Sequence, residues 1–408
     1  MAKFIKNTFI IFFILIIFIS KGFSQKSIII FKTDYSNNYM NYAIYDLIIK
    51  NIFLYSNLKI INSYSNYSSY NKIKSQIKKL TINNNANISI AYQIQNFKNG
   101  ILINYIIFDN EKPNEWIEKS AYSKEEDLFI SINKILKDIY EISKIKNKIT
   151  YIKEKDYISL LGYYSQKIIL TNNEDNIYKL FYDFHKDNIY FNIDYLEYLT
   201  DKSDRTSVDI ISDLIKNMQN YINKKKNHYY LYSLGCMHYG KYKVNVILSD
   251  IEASIENYNK ALKLKNNYYK YYYRLANAYI LKNDYDNAIK YYEEAIKLNE
   301  YDINIIKEFV SLLKRDINKN GNEVISYLKK IIEINKNDEE ALEEISKLYE
   351  KIGDYDNALI YYNKLFEVIN YNLYIINNET KDADAYDRYI FKRNSIKLNI
   401  ESLKKKIF

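Results

Sequence analysis

The stretch YKYYYRLANAYILKNDYDNAIKYYEEAIKLNEYD, Tyr269 to Asp302, constrains the fold of this chain more than any other. Tyr272, Leu275, Ala276 and Tyr279 recur at i, i+3, i+4 and i+7, the spacing that puts side chains on one face of a helix. Ala288, Ile289, Tyr292, Ala295 and Ile296 do the same a few residues later. Between them Lys282-Asn283-Asp284 breaks the apolar pattern, and Asp284 suits the cap of a second helix. Ala276, Ala288 and Ala295 fall where helices must approach closely. One such hairpin cannot bury its apolar face alone, so neighbours must stack on it.

The neighbours are in phase. From Ile303 to Asp338 the pattern is Ile306, Phe309, Val310, Leu313, then Val324, Leu328 and Ile331, with two extra residues in a turn placed at Asn320-Gly321. From Glu339 to Asn372 it returns with Ser346, Tyr349, Gly353-Asp354-Tyr355, Ala358 and Tyr362 in register. Leu231, Leu234, Gly235 and His238 open an earlier unit that ends in SIENYNKALKL.

These units resemble the tetratricopeptide repeat, whose period is about 34 residues. Tyr272, Leu275, Ala276, Tyr279, Ala288, Tyr292 and Ala295 take that family's Trp, Leu, Gly, Tyr, Ala, Phe and Ala slots. Glu300 stands where the family has its terminal Pro. The resemblance implies an α-solenoid over residues 228–372 that binds a protein or peptide.

Residues 26–145 have a different rhythm. Ser27–Phe31 reads as a buried strand, Tyr39–Leu54 as a helix, Leu58–Ile61 as a strand and Tyr70–Leu80 as a polar helix. Ile88, Ile90, Tyr92 and Ile94 alternate with polar or small residues, as a half-buried strand does. Asn99-Gly100 marks a hairpin, with return strands at Ile101–Phe108 and Trp116–Tyr122. A helix over Asp127–Ile145 closes the unit. The order βαβαβββα predicts a mixed sheet with helices packed on it, so the fold class is α+β: an α/β domain (25–147) followed by an α-solenoid.

This order resembles the amino-terminal α/β domain of the TolB-like group of cell-envelope proteins. IIIFKTDYSNN, ANISIAYQIQNFKNGILINYIIFDNEKPNEW and EDLFISINKILKDIY carry the resemblance. It implies an envelope protein that contacts other envelope proteins, with an accessory or regulatory role for this domain as the alternative to scaffolding by the repeats.

Residues 148–227 read as degenerate helical repeats, with hairpins at 157–184 and 189–222. Residues 373–408 read as a capping helix that bears Lys404-Lys405-Lys406. At the other end, Lys3 and Lys6 precede the apolar run Phe9–Ile19, and Gly22 and Ser24 offer a cleavage point. Eleven apolar residues suit a secretory signal and fall short of the roughly 20 that span a bilayer. Residues 1–24 are therefore expected to direct export to the periplasm or envelope, with an uncleaved anchor as the alternative. The net charge of +9 falls to +6 once Lys3, Lys6 and Lys21 are removed. That is mild, and the bases alternate with acids, so no nucleic-acid partner is expected.

The chain offers little for catalysis. His185, His228 and His238 lack metal-pair spacing, and seven Gly build no phosphate cradle. The acidic pairs Glu125-Glu126 and Glu293-Glu294 read as a helix start and a solvated helix face. Cys236 stands alone, so no internal disulfide framework exists, and it reads as a small core residue. No enzyme activity, cofactor or metal is expected.

The inner face of a solenoid is lined by the first helix of each unit. On it, Lys270, Tyr273, Arg274 and Asn277 in one repeat and Lys307 and Ser311 in the next are expected to point outward and form a basic and aromatic groove. In the repeat family, Lys and Arg at the positions of Lys270 and Arg274 contribute to a clamp for a partner's terminal carboxylate. Ser233 replaces the companion Asn, which leaves the clamp incomplete and an acidic or extended peptide as the expected ligand.

Overall fold

The computed structural model describes residues 26–31, 39–56, 58–61, 70–83, 86–97, 100–112, 116–124, 127–144, 152, 178, 181–182, 185, 188–218, 227–380 and 382–407. The proposed export segment, the hairpin at 157–184 apart from three residues, and the Glu125-Glu126 pair lie outside these. The chain forms two compact units that part between Ala278 and Tyr279.

The first unit begins with β1 (Ser27–Phe31), α1 (Tyr39–Tyr55), β2 (Lys59–Ile61), α2 (Tyr70–Asn83), β3 (Ile88–Phe97), β4 (Gly100–Asp109), β5 (Trp116–Ser123) and α3 (Leu128–Ser143). The strands form one sheet in the order β2-β1-β3-β4-β5. β1 runs parallel to β2 and β3, while β3–β4 and β4–β5 are antiparallel. The expected mixed sheet is thus observed. Every residue of β1 is buried, as befits a strand covered on both faces. Ile29 and Phe31 join Ala91, Ile106 and Phe108 under Tyr70, Ile73, Ile77 and Leu80 of α2. Leu128, Ile132, Ile135, Leu136 and Ile139 recur at helical spacing and make the buried stripe of α3.

Helices follow: α4 (Ile189–Lys202), α5 (Arg205–Met218), α6 (His228–Asn245), α7 (Leu248–Leu264) and α8 (Tyr269–Leu281). α1 is bolted to them by buried polar contacts. Asn51 donates to Tyr190 Oη at 3.1 Å and accepts from Tyr140 Oη at 3.0 Å, while Lys50 Nζ lies 2.8 Å from Asp194. Phe53 sits among the rings of His228, Tyr229, Tyr268 and Tyr271. A buried polar group must find such partners or lose stability, so these contacts fix the sheet domain on the helices.

The second unit holds α9 (Tyr285–Leu298), α10 (Ile303–Leu313), α11 (Ile317–Ile334), α12 (Glu339–Lys351), α13 (Tyr355–Ile375) and α14 (Ala383–Ile407). A 3₁₀ turn at Lys314–Asp316 separates α10 from α11, and a π-helical turn at Ile376–Thr380 ends α13. The turn expected at Asn320-Gly321 is corrected: both residues lie inside α11. The chain turns earlier, at Lys314–Asp316, and Asn320 falls among the first four residues of the helix, whose N–H groups have no intrahelical acceptors. Asn320 Nδ2 donates back to Leu313 O at 3.1 Å.

Candidate functional site

The repeats are built by one local device used twice. Asp284 caps α9 by accepting from Asn287 N, and Asp354 caps α13 by accepting from Asn357 N, each at 3.2 Å. The same aspartates accept from the amides of Asn287 and Asn357 at 2.8 Å. The residues just before them, Asn283 and Gly353, are left-handed at φ 60° and 80°, a conformation that Gly and Asn adopt at least cost. Tyr279 stacks on Tyr291 at 5.4 Å between ring centroids, and Tyr349 on Tyr361 at 5.7 Å. Ala288, Tyr292 and Ala295 are buried, as are their counterparts Ala358, Tyr362 and Leu365.

In the earlier unit, Gly235 lets the Tyr258 ring lie against α6. A Cβ there would meet ring atoms at 2.4 Å. Cys236 is fully buried beside that ring, as a small core residue, and burial pushes its thiol up to about 11. His238 Nδ1 lies 3.1 Å from Asp250 and is half-buried. Among the described residues no three His, Cys, Asp or Glu gather to hold a metal.

The structure corrects the expected outward set. Arg274 is buried, at 3% side-chain exposure. Its guanidinium donates to Glu197 Oε2 at 2.9 Å and to Asp201 Oδ1 at 2.5 Å, and Lys270 Nζ lies 3.6 Å from the same Glu197 oxygen. Tyr232 Oη donates to the other Glu197 oxygen at 2.6 Å. The positions that the family uses to clamp a ligand's carboxylate therefore hold a carboxylate of the chain itself. Burial works against the charge on Glu197, and Lys270, Arg274 and Tyr232 outweigh it and hold its pKa below the usual range. Burial also penalises Arg274, while Tyr232, Glu197 and Asp201 keep it charged. Ser233 is fully buried and donates to Tyr229 O at 2.9 Å. Tyr273 and Asn277 are half-buried. Sequence reasoning missed Glu197; an acid amid Tyr195, Leu196, Tyr198 and Leu199 was the only signal.

Lys307 and Ser311 belong to the second unit, where they line a cleft. Val310 and Lys314 of α10, Leu328 and Ile331 of α11, and Glu340, Ala341 and Glu344 of α12 complete it. Lys307 Nζ lies 2.7 Å from Glu340 and 3.1 Å from Asp338, and Lys314 Nζ lies 2.6 Å from Glu344. Burial works against the Lys307 charge, and its bonds to Glu340 and Asp338 outweigh that and raise its pKa. Each lysine faces a carboxylate over an apolar floor, so the cleft is amphipathic, whereas Lys307 and Ser311 were expected to belong to a basic and aromatic groove.

Tetratricopeptide-repeat family models match residues 269–302 and 339–372. No curated protein matches the chain. A solved structure of MamA is 22% identical with a TM-score of 0.32, covering 40% of this chain and 91% of that one. One of YrrB, described as a TPR protein with an unusual peptide-binding site, is 16% identical with a TM-score of 0.29, covering 46% and 89%. Repeats of this family are typically non-catalytic scaffolds for protein interaction. With these two units matched in sequence and built on the same caps, turns and stacked rings, the chain carries tetratricopeptide repeats at residues 269–302 and 339–372.

Proposed function

We propose that this protein is an exported, non-catalytic scaffold that holds a protein partner on its repeats, in the cleft between α10 and α12. The observation that carries the reading is the lining of that cleft. Val310, Leu328, Ile331 and Ala341 offer an apolar floor, and Lys307, Lys314, Glu340 and Glu344 offer both charges on its rim. A segment that inserts one apolar side chain and brings mixed charges fits this lining better than a purely acidic peptide, because each lysine already has a carboxylate beside it. The apolar run near the amino terminus supports export, and the TolB-like pattern of residues 25–147 supports a place in the cell envelope.

Ser311 is exposed at the cleft. In a crosslinked pull-down from the native envelope, Ser311→Trp should lose the partner that the wild-type protein retains, with its unfolding midpoint unchanged. Capture that survives the substitution would move the binding site to the α/β domain and favour the accessory role for residues 25–147.

A further inference from the structure

α14 packs on α13 through Ile396, Ile400 and Leu403. Among the described residues nothing packs on its opposite face, which carries two large apolar side chains, Phe391 at 78% and Leu398 at 65% exposure. Asp384, Arg388, Phe391, Ser395, Leu398, Ser402 and Lys405 follow one another at alternating spacings of four and three. That spacing keeps a single seam along a helix. All seven are exposed, as are Asp387, Asn394 and Glu401 beside them.

The order of charges along this seam is self-complementary. Lay a second α14 antiparallel across it, with the two-fold axis between Asn394 and Ser395. Asp384 then meets Lys405, Arg388 meets Glu401 and Phe391 meets Leu398, and each pairing occurs twice, as an isologous interface requires. A parallel arrangement sets like charges against each other at both ends. Among the described residues, Asp384, Arg388, Glu401 and Lys405 have no ion pair within the chain, whereas the inner-side Lys392 and Lys406 are paired to Glu339 and Glu350. The seam charges are thus free for a partner that the same sequence supplies.

We propose that α14 is a self-association surface on which two copies of this chain pair antiparallel through Phe391, Leu398 and the flanking charges. The helix is about 37 Å long and offers two apolar contacts per pair, so the dimer is weak and depends on salt. Two chains joined in this way present two clefts, which makes the scaffold bivalent.

Sedimentation equilibrium of the full chain tests this. Wild type should show a concentration-dependent rise in mass toward the dimer, with an association constant that falls about tenfold or more from low to high salt. Asp384→Lys/Arg388→Glu places like charges at all four pairings, and so does Glu401→Arg/Lys405→Asp; each variant alone should stay monomeric. An equimolar mixture of the two restores every opposite-charge pairing and should restore the dimer. Misfolding of either variant cannot mimic that recovery. A wild-type chain that is monomeric throughout, or association that both variants retain, overturns the proposal; the second result assigns association to another surface.

Discussion

At the scale of single residues, Arg274 changes the account most. Its slot in the helix periodicity read as outward, yet its side chain is buried against Glu197 and Asp201. A charge reversal there would be a folding defect and not a test of binding. Removing one partner of a buried ion pair strands the other, at a cost of about 3–5 kcal/mol. Arg274→Ala should therefore destabilise the first unit by that amount in urea unfolding. Asp201→Asn should cost less than about 1 kcal/mol, since Asp201 is 62% exposed. Equal losses would mean that the buried Glu197 contact is not the one that matters. The partner of Arg274 lies 77 residues earlier in sequence. Periodicity reports which face of a helix is apolar, not which charges meet across distant turns, so this pairing was not legible.

At the scale of elements, the sheet domain was legible nearly to its ends. Alternation in β3 and the helical stripe in α3 follow directly from one-sided burial. The contact between α1 and the later helices was not. Lys265, just beyond α7, is buried and donates to Phe53 O and Ser56 O at the carboxyl end of α1, at 2.7 and 2.8 Å. Its ammonium stem crosses the Phe53 ring. Burial pushes its pKa down from the ordinary 10.5 to about 7. Burial and the nearby Lys265 also push His228, 2.7 Å from Tyr271 Oη, down to about 3. Between about pH 7 and 10.5 the unfolded chain holds a proton on Lys265 that the folded chain lacks. Stability of the wild type should therefore rise with pH across that window and be flat in this contribution below it. Urea unfolding of wild type and Lys265→Met at two pH values inside the window and one below it measures the difference. Parallel curves would show that the lysine is charged when folded.

At the scale of the whole molecule, the solenoid was legible because the units at 269–302 and 339–372 restate the same cap, turn and buried small residue at the same offsets. Its end was only partly so. Residues 373–408 read as a polar cap, and α14 does bear Lys404-Lys405-Lys406, yet it leaves Phe391 and Leu398 in solvent. Which cleft a partner uses depends on side chains of three helices brought together, and no linear pattern announces that. The α/β domain has its own exposed candidate, Trp116 on the edge strand β5. The central claim is that the partner sits on the repeats. The most direct test places a photo-crosslinking side chain at position 311 in one full-length chain and at 116 in another, then irradiates both in the cells that make them. The account predicts a partner crosslinked from 311 and none from 116. A partner crosslinked from 116 alone would contradict it and give the binding role to the α/β domain.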